Sequence, residues 1–153
     1  MTAATPCKNA SEMKLRLLDG TDRMLSDFRG RVVVLQVMST RCSRCAQIVK
    51  LLNDLQRSLE IQPIAIAINA EAREMIDAFV AHSGPEFPVA LDSKANLCDL
   101  LGLPQDKPLY LPIIAFLDRR GVIRGLSAPG TDFFTQAETT FPAMIRRIEE
   151  EPA

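Results

Sequence analysis

The segment Val32-Val33-Val34-Leu35-Gln36-Val37-Met38 limits the fold more than any other. It is apolar except for Gln36 and rich in β-branched valine. A strand that is apolar on both faces has to be covered on both. It therefore belongs inside a sheet with helices on each side. The next segment supplies such a cover. Ile48, Leu51, Leu52, Leu55 and Leu59 recur at i, i+3, i+4, i+7 and i+11, an apolar stripe along one helix face.

The rest of the chain repeats this alternation. Met13 to Leu17 alternates apolar and polar, as a half-buried strand does, and Asp19-Gly20 signals a turn. Ile61 to Ile68 reads as a strand. Glu71 to Ala81 reads as a helix with Met75, Ile76, Phe79 and Val80 inward. Val89 to Leu91 is a short strand, and Ala95 to Leu101 is a short helix closed by Gly102. Leu111 to Leu117, the turn Asp118 to Gly121, and Val122 to Leu126 make a hairpin. Phe141, Met144, Ile145 and Ile148 place a helix at the end, with Pro142 marking its start or a kink. The expected order is β-β-α-β-α-β-α-β-β-α. That is an α/β fold with a mixed central sheet, helices on both faces and right-handed crossovers between its parallel strands.

At 153 residues, with 47% hydrophobic and 24% charged residues, the chain suits one ordered domain. It is expected over 12–150, with a loose lead-in at 1–11 and a short tail at 151–153. A net charge of −1 gives no basic excess for a nucleic-acid partner. No apolar run approaches the roughly 18 residues of a membrane span. The opening residues Met1 to Pro6 carry no apolar core and no basic lead, so no signal peptide is expected within them.

The chemistry centres on Cys42-Ser43-Arg44-Cys45, where the buried strand gives way to the amphipathic helix. A Cys-x-x-Cys pair at a helix N-terminus sets its first sulfur beside unpaired backbone N–H groups and the positive end of the dipole. Both favour the thiolate, which is the reactive form. The spacing lets the second sulfur close a disulfide with the first. Cys42 is then the attacking cysteine, and Cys45, one turn inside the helix, is the more buried, resolving one. Arg41 and Arg44 flank the nucleophile as two nearby cations. Three other readings stay open: cysteines as apolar filler, a structural zinc site and a Cu(I)–thiolate site helped by Met38. The zinc site needs four ligands, and Cys7, Cys98 and His82 form no second pair. Cys98 sits with Leu97 and Leu101 and reads as a buried free thiol. His82 reads as a helix C-terminal residue, Asp118 as a turn residue.

Four stretches resemble the thioredoxin superfamily, in particular its exported TlpA/ResA-type thiol-disulfide oxidoreductases. They are Leu25 to Arg31 as the lead-in, Val32 to Cys45 as strand plus redox motif, Leu111-Pro112, and the following Ile113 to Gly121. The long stretch between Cys45 and Pro112 leaves room for an extra strand-helix insertion, and the likeness covers about residues 12–150. It implies a thioredoxin-like three-layer fold and a redox-active Cys42–Cys45 disulfide with no other cofactor. It also implies a cis Leu111–Pro112 peptide beside the pair, with Leu111 meeting the substrate. Cis bonds are nearly confined to X-Pro. Arg41, Ser43 and Arg44 are the further contact or tuning positions. The implied partners are protein thiols and disulfides plus an upstream redox partner, met by a monomer in an extracytoplasmic bacterial setting, with its leader absent from this sequence. A cytoplasmic setting is the alternative.

The chain also departs from that group. Arg41 stands where an aromatic residue usually precedes the first cysteine, Gln36 where thioredoxin has a buried Asp, and Ile48 where ResA-type enzymes have a Glu. A second enzyme class, the peroxiredoxin-like thiol peroxidases, has a Thr or Ser three residues before its cysteine. Ser39 fits that position, but Leu35 replaces the group's upstream proline. A binding module without turnover is the third alternative.

Overall fold

The computed structural model describes residues 10 and 12–151. The expected lead-in at 1–11, Cys7 included, lies outside the described residues apart from Ala10, as do the last two residues of the tail. The strands are β1 (Lys14–Leu17), β2 (Asp22–Met24), β3 (Val32–Met38), β4 (Ile61–Ala67), β5 (Val89–Leu91), β6 (Ile113–Leu117) and β7 (Ile123–Ser127). The helices are α1 (Ser43–Ser58), α2 (Ala72–Ser83), α3 (Lys94–Leu101), α4 (Asp132–Thr135) and α5 (Ala137–Glu150). All seven strands join one sheet in the order β2-β1-β5-β4-β3-β6-β7.

β3 is buried along its whole length, Gln36 included. It pairs parallel with β4 on one side and antiparallel with β6 on the other. Its alternating side chains feed two cores. Val32, Val34 and Met38 pack with α1, α2 and α5. Val33, Leu35 and Val37 pack with Leu97 and Leu101 of α3 on the opposite face. The mixed sheet with helices on both faces is therefore as expected. Right at the centre, β3 ends one short loop before the cysteine pair, so the most deeply buried strand aims the site.

Pro63 lies inside β4, opposite Val34. A proline cannot donate to a ladder and belongs at an edge or strand start. β5 pairs with β4 only over Ala65 to Ala67. At Pro63 the strand is still open on that side, and the Pro63 carbonyl accepts from Gln62 Nε2 at 2.9 Å.

Three pieces go beyond the sequence expectation: β2, a 3-10 turn at Leu25–Phe28, and α4. The last helix is also longer. Pro142 does not start it, because α5 begins at Ala137 and carries Pro142 inside. The reason is packing. Phe134 and Phe141 meet edge to face with ring centres 6.3 Å apart, and Phe116 meets Phe141 at 5.3 Å. This ring cluster holds the first turns of α5 and the whole of α4 against β6.

Candidate active site

Cys42 is the N-cap of α1. Its extended backbone (φ −97°, ψ 112°) turns the chain out of the β3 loop and into the helix. Its Sγ takes the place of the usual capping oxygen, accepting the Cys45 N–H at 3.1 Å. The same thiol donates to the Leu111 carbonyl at 3.6 Å. Cys42 is half-buried, and Cys45 is 0% exposed. Both are free thiols. The pair is thus graded as the sequence suggests: one sulfur at the surface, one beneath it. Burial, and then the hydrogen-bonded Cys42 sulfur, push the Cys45 thiol well above the ordinary range, while the Ser39 backbone pulls weakly the other way.

The Leu111–Pro112 peptide is cis. It brings Leu111 against Cys42, although the two are 69 positions apart. Pro112 is buried and Leu111 half-buried. Leu111 packs against both cores. Ser43 is exposed in the first turn of α1.

The two arginines that flank Cys42 each have a partner of their own. Arg41 reaches Glu71, with Nη2 3.7 Å from Oε1. Arg44 lies over the Phe134 ring at 5.1 Å and donates to Gln47 at 3.0 Å. Glu71 on one side and Phe134 with Gln47 on the other hold the two guanidinium groups.

Gln36 is fully buried on the same sheet face as α1. Its Nε2 donates to the Cys45 carbonyl at 2.9 Å, and its Oε1 is buried without a hydrogen-bond partner among the described residues. Ile48 is buried in the adjoining core. Two residues that the sequence reading did not single out brace the loop before Cys42. Thr40 N–H donates to Asn69 Oδ1 at 3.1 Å, and Asn69 Nδ2 donates back to Thr40 Oγ1 at 2.8 Å. The signal was present in the parallel register, which sets Met38 opposite Ala67. Two residues further along, Thr40 and Asn69 come level. That register is not visible until the crossover is.

The AhpC/TSA family pattern matches residues 6–126. This chain belongs to the AhpC/TSA family.

Within that family's reach, the chain is 26% identical over 125 residues to the thiol-disulfide oxidoreductase ResA of Geobacillus thermodenitrificans, covering 80% of this chain and 69% of that one. It is 25% identical over 123 residues to the thioredoxin-like protein YneN of Bacillus subtilis, covering 78% and 69%. Among solved structures, a candidate thiol:disulfide interchange protein DsbE from Chlorobium tepidum superposes with a TM-score of 0.78 at 22% identity, covering 95% and 99%. The expected likeness to thioredoxin-fold thiol-disulfide oxidoreductases is borne out. In this AhpC/TSA member the matched region takes in β3, both cysteines, β6 and all but the last residue of β7.

Proposed function

We propose that this chain is a thiol-disulfide oxidoreductase that exchanges its Cys42–Cys45 pair with the disulfides or dithiols of other proteins. One observation carries the reading: a half-buried Cys42 sulfur caps α1 and accepts the N–H of a fully buried Cys45. The outer sulfur is partly exposed, and the backbone of the inner cysteine lies directly against it.

In the reducing direction the Cys42 thiolate attacks one sulfur of a substrate disulfide. A Cys42–substrate disulfide forms, and the other substrate sulfur leaves and takes up a proton. Cys45 then gives up its proton and attacks the Cys42 sulfur. The Cys42–Cys45 bond forms, the second substrate sulfur leaves as a thiol, and two electrons have passed to the substrate. A protein dithiol upstream restores the pair by the same steps. The reverse sequence oxidises a substrate dithiol. In this reading Leu111, whose carbonyl takes the Cys42 thiol hydrogen, and the following Pro112 meet the substrate beside the attacking sulfur, with the exposed Ser43 a further contact position. The chemistry runs on the cysteine pair with no added cofactor, in one copy of the chain, with protein partners and not nucleic acid. No helix among the described residues is long and apolar enough to cross a membrane. The TlpA/ResA likeness supports an extracytoplasmic bacterial setting.

The test is a redox titration in glutathione or dithiothreitol buffers, read by alkylation and mass spectrometry, with Cys45→Ser alongside. One two-electron couple over Cys42 and Cys45 is the expected result, and its potential gives the direction: about −270 mV for a reductant and about −120 mV for an oxidant. A pair that never closes overturns the reading. Peroxide consumption by the reduced chain would move it to the peroxidase class, in which Ser39 has its place. The Ser39 hydroxyl here accepts the Arg41 N–H at 3.2 Å.

A further inference from the structure

Tyr110 is the chain's single tyrosine, and there is no tryptophan. It is 72% exposed, against 40% for Leu18, the other exposed large apolar residue among the described residues. An isolated exposed apolar side chain is ordinary on a protein surface. The position of this one is not. Tyr110 directly precedes Leu111, whose carbonyl lies 3.6 Å from the Cys42 sulfur. The ring is therefore one residue away from an atom that touches the nucleophile.

The backbone around it is held in place. Leu109 and Leu111 both pack against the core on the α3 face. In an extended stretch the residue between two inward side chains points outward. Upstream, Lys94 Nζ donates to the Lys107 carbonyl and Gln105 Nε2 to the Ala95 carbonyl, each at 2.8 Å. Pro104, Pro108 and Pro112 restrict the same loop. The Tyr110 hydroxyl has no hydrogen-bond partner among the described residues, so no internal polar contact explains its placement. On the other flank of Cys42, Arg41 carries a charge and pairs with Glu71, so it is no aromatic platform. A rigidly presented aromatic ring gives contact area at low entropic cost.

We propose that Tyr110 is a substrate-contact residue. Its ring is the platform for an apolar side chain next to the cysteine of an extended polypeptide, and it sets a preference for substrates with such a neighbour. This rests on the exchange reading of Cys42 and Cys45 given above.

The test compares wild type, Tyr110→Ala and Tyr110→Phe on two disulfide-bonded peptides. These differ only in having leucines or serines beside the cysteine, and dithiothreitol serves as the small-thiol control. In Tyr110→Ala the KM for the leucine peptide rises about tenfold, a loss of ~1.4 kcal/mol. Its kcat, the serine-peptide KM and the dithiothreitol exchange rate stay at wild-type values. Tyr110→Phe restores the leucine-peptide KM, because the ring and not the hydroxyl makes the contact. Binding of the non-aromatic leucine peptide to a Cys42→Ser variant also shifts Tyr110 emission, the chain's only tyrosine signal. An unchanged leucine-to-serine KM ratio in Tyr110→Ala overturns the proposal while leaving the exchange reading intact. A wild-type pair that does not exchange with dithiothreitol overturns both.

Discussion

Gln36 Nε2 holds the Cys45 carbonyl at 2.9 Å from the middle of the most buried strand, and the other end of the same amide, Oε1, meets no partner among the described residues. One half of the side chain stabilises the site and the other half costs desolvation. A net hydrogen bond gives about 1 kcal/mol, and an unmatched buried acceptor costs about 1–3 kcal/mol. Gln36→Leu removes both and keeps the volume, so stability in urea stays within about 1 kcal/mol of wild type. Gln36→Ala leaves a cavity beneath Cys45 and lowers stability by about 2–3 kcal/mol. A loss of that size in Gln36→Leu would show that the amide contributes far more than its one bond.

Cys45 has its thiol pushed up by burial, so the neutral form dominates at neutral pH. Resolution of the mixed disulfide needs the thiolate, whose fraction grows about tenfold per pH unit while the pH is below the pKa. The rate at which Cys45 releases a chromogenic thiol from Cys42 therefore climbs through alkaline pH without levelling. A plateau below pH ~8, near an unperturbed thiol, would contradict the burial argument.

The same shift has a stability consequence. A raised folded pKa means that the folded chain keeps a proton that the unfolded chain loses first. The contribution is complete below the ordinary thiol value of 9.0 and is lost as pH rises past it toward the folded value. Reduced wild-type protein thus loses stability above pH 9.0 more steeply than Cys45→Ser. Equal slopes for the two in urea titrations would refute this.

Thr40 and Asn69 tie the loop before Cys42 to the end of β4 by two reciprocal hydrogen bonds. Asn69→Ala breaks both and is expected to cost about 1–2 kcal/mol. It also frees the loop, so alkylation of Cys45 in the reduced protein accelerates while that of Cys42 barely changes. A thermal melt and a two-site alkylation time course measure the two effects.

Asp118 is the buried anchor of the β6–β7 turn, accepting the Arg120 and Val122 N–H groups at 2.9 and 3.1 Å and lying 3.4 Å from Arg124. Asp118→Ala orphans these donors and lowers stability by about 2–4 kcal/mol, with the redox potential unchanged because the turn lies at the far end of β6 from Pro112. A potential that moves with the melt would link the hairpin to the site.

Much of this was legible in the chain itself. Continuous apolar residues gave β3, period gave α1, and a cysteine pair at their junction gave the site. What stayed hidden depends on distant partners. β2 has mostly exposed residues and a single neighbour, β1, so no pattern marks it. α4 is four residues long and rests on rings from β6 and α5. Arg41 and Arg44 sit beside Cys42 in sequence, yet Glu71 and Phe134, far along the chain, decide where their charge goes. Gln36 stands out in the sequence as a departure, but its grip on the Cys45 carbonyl depends on the helix being in place.

Leu111 packs against both faces of the sheet while its carbonyl faces Cys42. Most side chains here answer to one hydrophobic compartment or the other. Anything seated on Leu111 presses on both at once. A docked substrate would therefore tighten α1 and α3 together, and amide hydrogen exchange would slow on two surfaces that share no helix. The sheet that keeps the two cores apart is bridged at the point where chemistry happens.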